Sequence, residues 1–153
     1  MALVLFIHLL GSALWIGGGI AAMVIAIGVR GEVAEVRAGV FRLLARVHTM
    51  VIGLGALLAV ASGVLLTMSL TTSDTGESMQ EPRMWVMQVS GLLGGLTVLF
   101  VGLPTAVRMG GLAVTSESGE LPPAFETYRK RQAVVSSVAG VLAIIALFAW
   151  EVL

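Results

Sequence analysis

Side chains that could bind a metal ion or a haem are few in this chain. There are two histidines, eight methionines and no cysteine, which excludes disulfides and thiolate metal sites built from this chain alone. His8 lies near the start of the first apolar stretch, and Trp15 follows it two helical turns later, on the same face. Gly11, Ser12 and Gly19 continue this face with small side chains. An imidazole beside a groove of small residues indicates a membrane helix whose face meets protein or a cofactor.

Further candidate ligands lie where the second apolar stretch ends and the third begins. Met68 ends the second stretch, and Met84, Met87 and Gln88 open the third. Imidazole is a common haem ligand, and a thioether or an amide can take the opposite position on the iron. His8 with the methionines also suits a soft Cu(I) ion. The residue types are therefore consistent with a haem site or with a copper site.

Structural roles account for the same residues. A histidine in a span often hydrogen-bonds a neighbouring helix, and methionines at helix ends often fill gaps. Trp15 lies too deep for an interfacial belt, so it either packs in the core or walls in a cofactor. His48 is a second-site candidate beside Arg46, and there a structural or interfacial role is favoured. It heads its own face of small residues, formed by Gly55, Ala59, Ser62 and Gly63.

Composition places the chain in a lipid bilayer. Its 153 residues are 58% hydrophobic and 12% charged, about half the charge content typical of soluble proteins, and the mean hydropathy is +1.01. Net charge is zero, which argues against a nucleic-acid partner. The first stretch lacks a cleavage site and is interpreted as a retained span. We predict one all-α integral membrane domain over residues 1–153, an antiparallel four-helix bundle with spans at about 3–28, 47–70, 85–107 and 132–153.

The basic residues predict the orientation of this bundle. Of the nine Lys and Arg residues, eight lie in the first and third loops: Arg30, Arg37, Arg42, Arg46, Arg108, Arg129, Lys130 and Arg131. The positive-inside rule then puts both loops in the cytoplasm, and both termini and the acidic middle loop outside. His8 falls near the outer boundary and His48 near the inner one, roughly 20 Å apart, so they cannot share a haem or a metal ion. Residues 29–46 are predicted to be helical and to extend the second span inward.

Several short motifs carry a resemblance to known proteins. The first span contains His8-x6-Trp15-x-Gly17-Gly18. The further matching segments are Ala45-Arg46-Val47-His48, Ala61-Ser62-Gly63-Val64-Leu65-Leu66, Trp85-x-x-Gln88 and the basic run Arg129-Lys130-Arg131. Together they resemble a group of small bacterial membrane proteins that includes the HemJ-type protoporphyrinogen oxidases, the CopD-like copper-resistance domain and uncharacterised four-helix relatives, the last being the nearest.

The resemblance implies a bacterial cytoplasmic (inner) membrane protein in which His8 ligates haem b. Gln88 stands where the HemJ-type enzymes have an essential lysine, and a neutral amide cannot replace an ammonium acid. The copper-resistance relatives are larger, which disfavours copper import. Three hypotheses remain: a haem-b protein for electron transfer or porphyrin oxidation, a Cu(I)-handling bundle, and a non-catalytic accessory subunit. The last would act in a homodimer or a larger membrane complex.

Overall fold

The chain is almost entirely helical in its computed structural model. The structure describes residues 1–71, 82–113 and 120–152. The helices are α1 (Ala2–Gly28), α2 (Ala34–Val47), α3 (Leu54–Thr71), α4 (Pro82–Thr97), α5 (Leu103–Leu112) and α6 (Pro123–Val152). A 3-10 turn, Val29–Gly31, follows α1. Two π-helical segments, His48–Gly53 and Val98–Gly102, join α2 to α3 and α4 to α5.

Four continuous helical stretches are long and apolar enough to cross a membrane. They run over Ala2–Gly31, Ala34–Ser69, Pro82–Leu112 and Pro123–Ala149, and each contains most of one predicted span. Helices suit this environment because they satisfy every backbone group internally. The prediction of four apolar spans is confirmed, and so is the helical extension of the second span, which begins at Ala34. The predicted acidic middle loop lies mainly at 72–81, outside the described residues.

Helices α1 and α3 approach each other closely because both present glycine at their crossing. A Cβ built on Gly55 would lie 2.7 Å from the Trp15 amide nitrogen and 2.8 Å from the Gly11 carbonyl oxygen. Further along α1, a Cβ on Gly18 would lie 3.0 Å from the Ile52 side chain. Residue numbers therefore rise along α1 while they fall along α3. Only glycine permits this backbone contact, as in small-residue interfaces of membrane helices.

Replacing Gly55 with alanine is expected to destabilise the protein. The new methyl group would overlap backbone atoms of α1, and overpacking of this kind costs about 1–3 kcal/mol. Gly19→Ala is the matched control, since nothing lies within 4 Å of a Cβ built there. Thermal unfolding of both variants in the same detergent checks the prediction. Equal midpoints for the two variants would show that the crossing is looser than described.

A second close pair is formed by α4 and α6, and Trp15 links it to the first. Cβ atoms built on Gly91 and Gly94 would contact Ala146 and Leu142 of α6 at 3.7 and 3.2 Å. No Cα atom of α1 lies within 8 Å of one in α4. The Trp15 indole spans this gap, with its Cη2 atom 3.0 Å from a Cβ built on Gly94. Only 6% of Trp15 is exposed, so the indole fills the centre of the bundle.

The end of the bundle that carries most of the basic residues has its own core. Phe41 of α2 and Phe125 of α6 meet edge to face with ring centroids 5.1 Å apart. Beside them, Arg37 donates to Glu126 at 2.8 Å, and Arg129 donates to the other oxygen of the same carboxylate at 2.8 Å. The hydrogen bond from Arg129, assisted by Arg37, lowers the pKa of Glu126 below its ordinary value. This network fastens α2 to the start of α6.

Candidate functional site

The imidazole of His8 is held by a hydrogen bond to the neighbouring span. Its Nδ1 atom lies 2.9 Å from the carbonyl oxygen of Ala59 and 3.3 Å from the hydroxyl oxygen of Ser62. A carbonyl oxygen can only accept, so Nδ1 carries the proton and donates. In the neutral ring the other nitrogen, Nε2, then has an unprotonated lone pair, which is the form that ligates metals. The tautomer follows from these partners.

The surroundings of the ring leave Nε2 available. Nε2 makes no hydrogen bond within the described parts of the chain, and it is not among the fully buried atoms that lack a partner. It therefore keeps some accessible surface. Gly63 lies against the Nδ1–Cε1 edge of the ring, where a Cβ would stand 3.1 Å from Cε1 and 3.4 Å from Nδ1 of His8. Ser12, one turn below, donates its hydroxyl to the His8 carbonyl at 2.8 Å. The ring is thus oriented on one side and open at Nε2.

The sequence analysis did not identify these partners of His8. Ala59, Ser62 and Gly63 belong to the small-residue face that the sequence places below His48. In the structure α1 packs against this face, and Gly63 contacts His8. The sequence carried a signal for this contact. The spacing of the small and polar residues along α1 matches their spacing along α3 when the order of one helix is reversed. Ser62 and Gly63 are the additional residues that define the site.

Gln88 has a buried donor without an acceptor. Its Nε2 atom is fully buried and makes no hydrogen bond in the described part of the structure. A buried unsatisfied donor costs about 1–3 kcal/mol. Gly95 of α4 contacts Val60 of α3, and Leu103, further along the third helical stretch, contacts Gly53, which precedes α3. Gln88, six residues before Gly94, therefore lies on the same side of the Trp15–Gly94 contact as His8.

The three methionines that the sequence offers as ligands differ in exposure. Met84 is buried and Met87 is partly buried, whereas Met68 is 60% exposed. The imidazole is directed toward α3, and the α1 and α4 backbones stay apart. In the described residues there is also no group of three His, Asp or Glu side chains that could hold a metal ion. The structure defines the orientation of His8 through its bond to the Ala59 carbonyl.

An open cavity lies one turn below His8, between α1 and α6. It has a volume of about 290 Å³ and is almost wholly apolar, lined by Leu9, Ser12, Ala13, Ile16, Gly17 and Leu147. Trp15 separates the level of His8 from the deeper interior, because its indole occupies the centre at Gly94. Trp15 thus packs in the core, and a cofactor at His8 would lie on its outer side.

His48 lies apart from this site. Its Nδ1 atom bonds the Leu44 carbonyl of its own helix at 2.9 Å, at the start of the first π-helical segment. Ala59, the partner of His8, lies 11 residues further along the same continuous helix, which corresponds to roughly 16 Å. The two histidines thus belong to different levels. The segment at His48 packs near the second π-helical segment, where Gly53 meets Leu103.

Comparison of the chain with models of protein families, with curated proteins and with solved structures found no match.

Proposed function

We propose that this protein binds haem b through Nε2 of His8, in the outer half of a bacterial inner membrane, and carries electrons there. The spans would form an antiparallel bundle with both termini outside, as the distribution of basic residues favours. The observation that carries the proposal is the hydrogen bond from His8 Nδ1 to the Ala59 carbonyl. Ligating histidines almost always donate their second ring nitrogen to a carbonyl, carboxylate or water, which orients the ring and raises its basicity.

The environment of Gln88 favours a ligand-binding role for the site over a purely structural role in helix packing. A histidine that only joins two helices would make the same bond to Ala59, so that bond alone does not separate the two roles. The buried, unpartnered amide of Gln88 is costly unless something supplies an acceptor. A carboxylate or ring-edge acceptor of a bound porphyrin would satisfy it. His8 and Gln88 lie on the same side of Trp15, so one ligand can serve both.

Each residue of the site then has a separate role. His8 ligates the iron, Gln88 donates a hydrogen bond, and Trp15 closes the inner side of the site. Haem supplies a redox-active iron whose potential depends on its axial ligand and on burial. Gln88 is neutral, and so it provides no ammonium acid for porphyrin oxidation. We therefore favour electron transfer over a protoporphyrinogen-oxidase-like reaction, and the resemblance noted in the sequence supports haem as the cofactor.

The proposal is tested by supplying haem during expression and purifying the wild-type protein. We expect a Soret band with one haem per chain, because a single oriented imidazole offers one axial position. Absorption spectroscopy with a haem assay on the pure protein measures this stoichiometry. A pure, folded protein that shows no Soret band under these conditions would overturn the proposal.

Cu(I) is the alternative ligand, because the same lone pair with thioethers from Met84 and Met87 suits that ion. The double variant Met84→Leu/Met87→Leu separates the two. Haem binding should survive it, whereas a copper site would lose Cu(I). An accessory subunit would instead co-purify with partners and bind neither ligand.

A further inference from the structure

We propose that the groove between α2 and α5 binds the phosphate headgroup of an anionic phospholipid through Arg42 and Arg46. This groove lies at the end of the bundle that carries most of the basic residues, away from His8. It is an open cavity of about 280 Å³, lined by Arg42, Ala45, Arg46, Thr49, Val107 and Gly110. The site does not depend on the proposed haem.

The two arginines carry charge that no residue in the described part of the chain neutralises. Arg42 and Arg46 lie one turn apart on α2, and both are exposed. Neither forms an ion pair or side-chain hydrogen bond with any residue in the described ranges. Arg37, on the same helix, is instead paired with Glu126. Two unpaired guanidinium groups on one groove match a phosphate, whose oxygens they bind in bidentate geometry.

The groove is built by a close helix contact. A Cβ on Gly110 of α5 would lie 2.6 Å from the Ala45 Cβ atom and 3.9 Å from the Cα atom of Arg42. Helices α2 and α5 thus touch through Gly110 and Ala45, which form the floor of the groove. Arg42 and Arg46 line the groove beside this contact. A larger residue at position 110 would fill the space.

The polarity of the groove changes along its length, which favours a lipid over free phosphate. Arg46 immediately precedes the apolar part of the second span. Beyond it, Thr49 turns its hydroxyl back to the Ala45 carbonyl at 2.6 Å, and Val107 is 51% exposed. A phospholipid presents a phosphate and then an acyl chain in the same order. Basic pockets between membrane helices are known to bind anionic headgroups in this way.

Native mass spectrometry of the detergent-purified protein tests the proposal, with phosphatidylglycerol and phosphatidylcholine of identical acyl chains as probes. We expect the wild-type protein to bind phosphatidylglycerol selectively. The double variant Arg42→Gln/Arg46→Gln should bind it roughly 30-fold more weakly, at the level of phosphatidylcholine. Arg42→Lys/Arg46→Lys should keep part of the selectivity, because it retains the charge and loses the bidentate geometry.

The matched control is Arg30→Gln/Lys130→Gln, which removes the same charge from exposed positions outside the groove. It should bind phosphatidylglycerol as the wild type does. An equal loss in both double variants, or no loss in Arg42→Gln/Arg46→Gln, would overturn the proposal. Displacement of the lipid by millimolar inorganic phosphate would also overturn it, since the groove would then recognise phosphate alone. Circular dichroism confirms that each variant remains helical.

Discussion

Replacing His8 with alanine is expected to abolish the Soret band of the haem-loaded protein. The change removes the side chain whose Nδ1 atom is held by the Ala59 carbonyl and whose Nε2 atom is left accessible. The fold should survive, because a hydrogen bond between membrane helices contributes on average about 0.6 kcal/mol and at most about 1.7 kcal/mol. The loss of haem would therefore report ligation and not unfolding. Absorption spectra of equal amounts of monodisperse protein provide the measurement.

The chain offers an internal control in its second histidine. His48→Ala removes an imidazole that bonds only its own helix, at Leu44, and lies at a different level. We expect the haem content of this variant to equal that of the wild type. A protein that loses its Soret band in His48→Ala and keeps it in His8→Ala would place the site at the opposite end of the bundle.

Replacing Trp15 with alanine is expected to cause the largest loss of stability among single substitutions in the bundle. The indole is buried and is the side chain that spans the gap between α1 and α4. Its removal leaves a cavity at Gly94 and Gly95, and truncation of a buried tryptophan to alanine costs about 3–5 kcal/mol. Thermal unfolding in detergent should therefore show a midpoint well below that of the wild type.

Trp85→Ala is the control for this prediction. Trp85 is 60% exposed, so its replacement removes a similar side chain without opening an internal cavity. We expect its midpoint to stay close to that of the wild type in detergent. Similar losses in both variants would mean that Trp15 does not hold the two helix pairs together. That result would also remove the inner wall of the proposed haem site.

The four spans could be predicted from sequence because they depend on composition and length alone. An apolar stretch must be helical in lipid, wherever its neighbours lie. The continuation of α2 into the second span could also be predicted, from the helical spacing of Val36, Val40, Leu43, Leu44 and Val47. The two π-helical segments could not be predicted. Each changes the backbone hydrogen-bond register of the helix locally and leaves no pattern in residue type. They alter which faces of the second and third spans meet.

The sequence predicts the depth of the candidate site along the helices, but it does not predict how each helix is rotated about its own axis. Counting residues from the span ends places His8, Met84 and Gln88 in the same layer. It does not determine which neighbour the imidazole meets, because helix rotation depends on close packing. Here the contact of Gly11 with Gly55 brings His8 onto α3. The hydrogen bond to Ala59 could not be predicted either, since its acceptor is a backbone carbonyl, which every residue has.

Chemical rescue of the variant His8→Gly tests ligation by His8 most directly. Deleting the side chain leaves a space the size of the ring, next to Ala59 and Gly63. We expect the purified variant to bind haem only when imidazole is added, with a spectrum matching that of the wild type. A wild-type spectrum without imidazole would contradict ligation by His8, and so would a variant that imidazole does not restore while its helical content and monodispersity are unchanged.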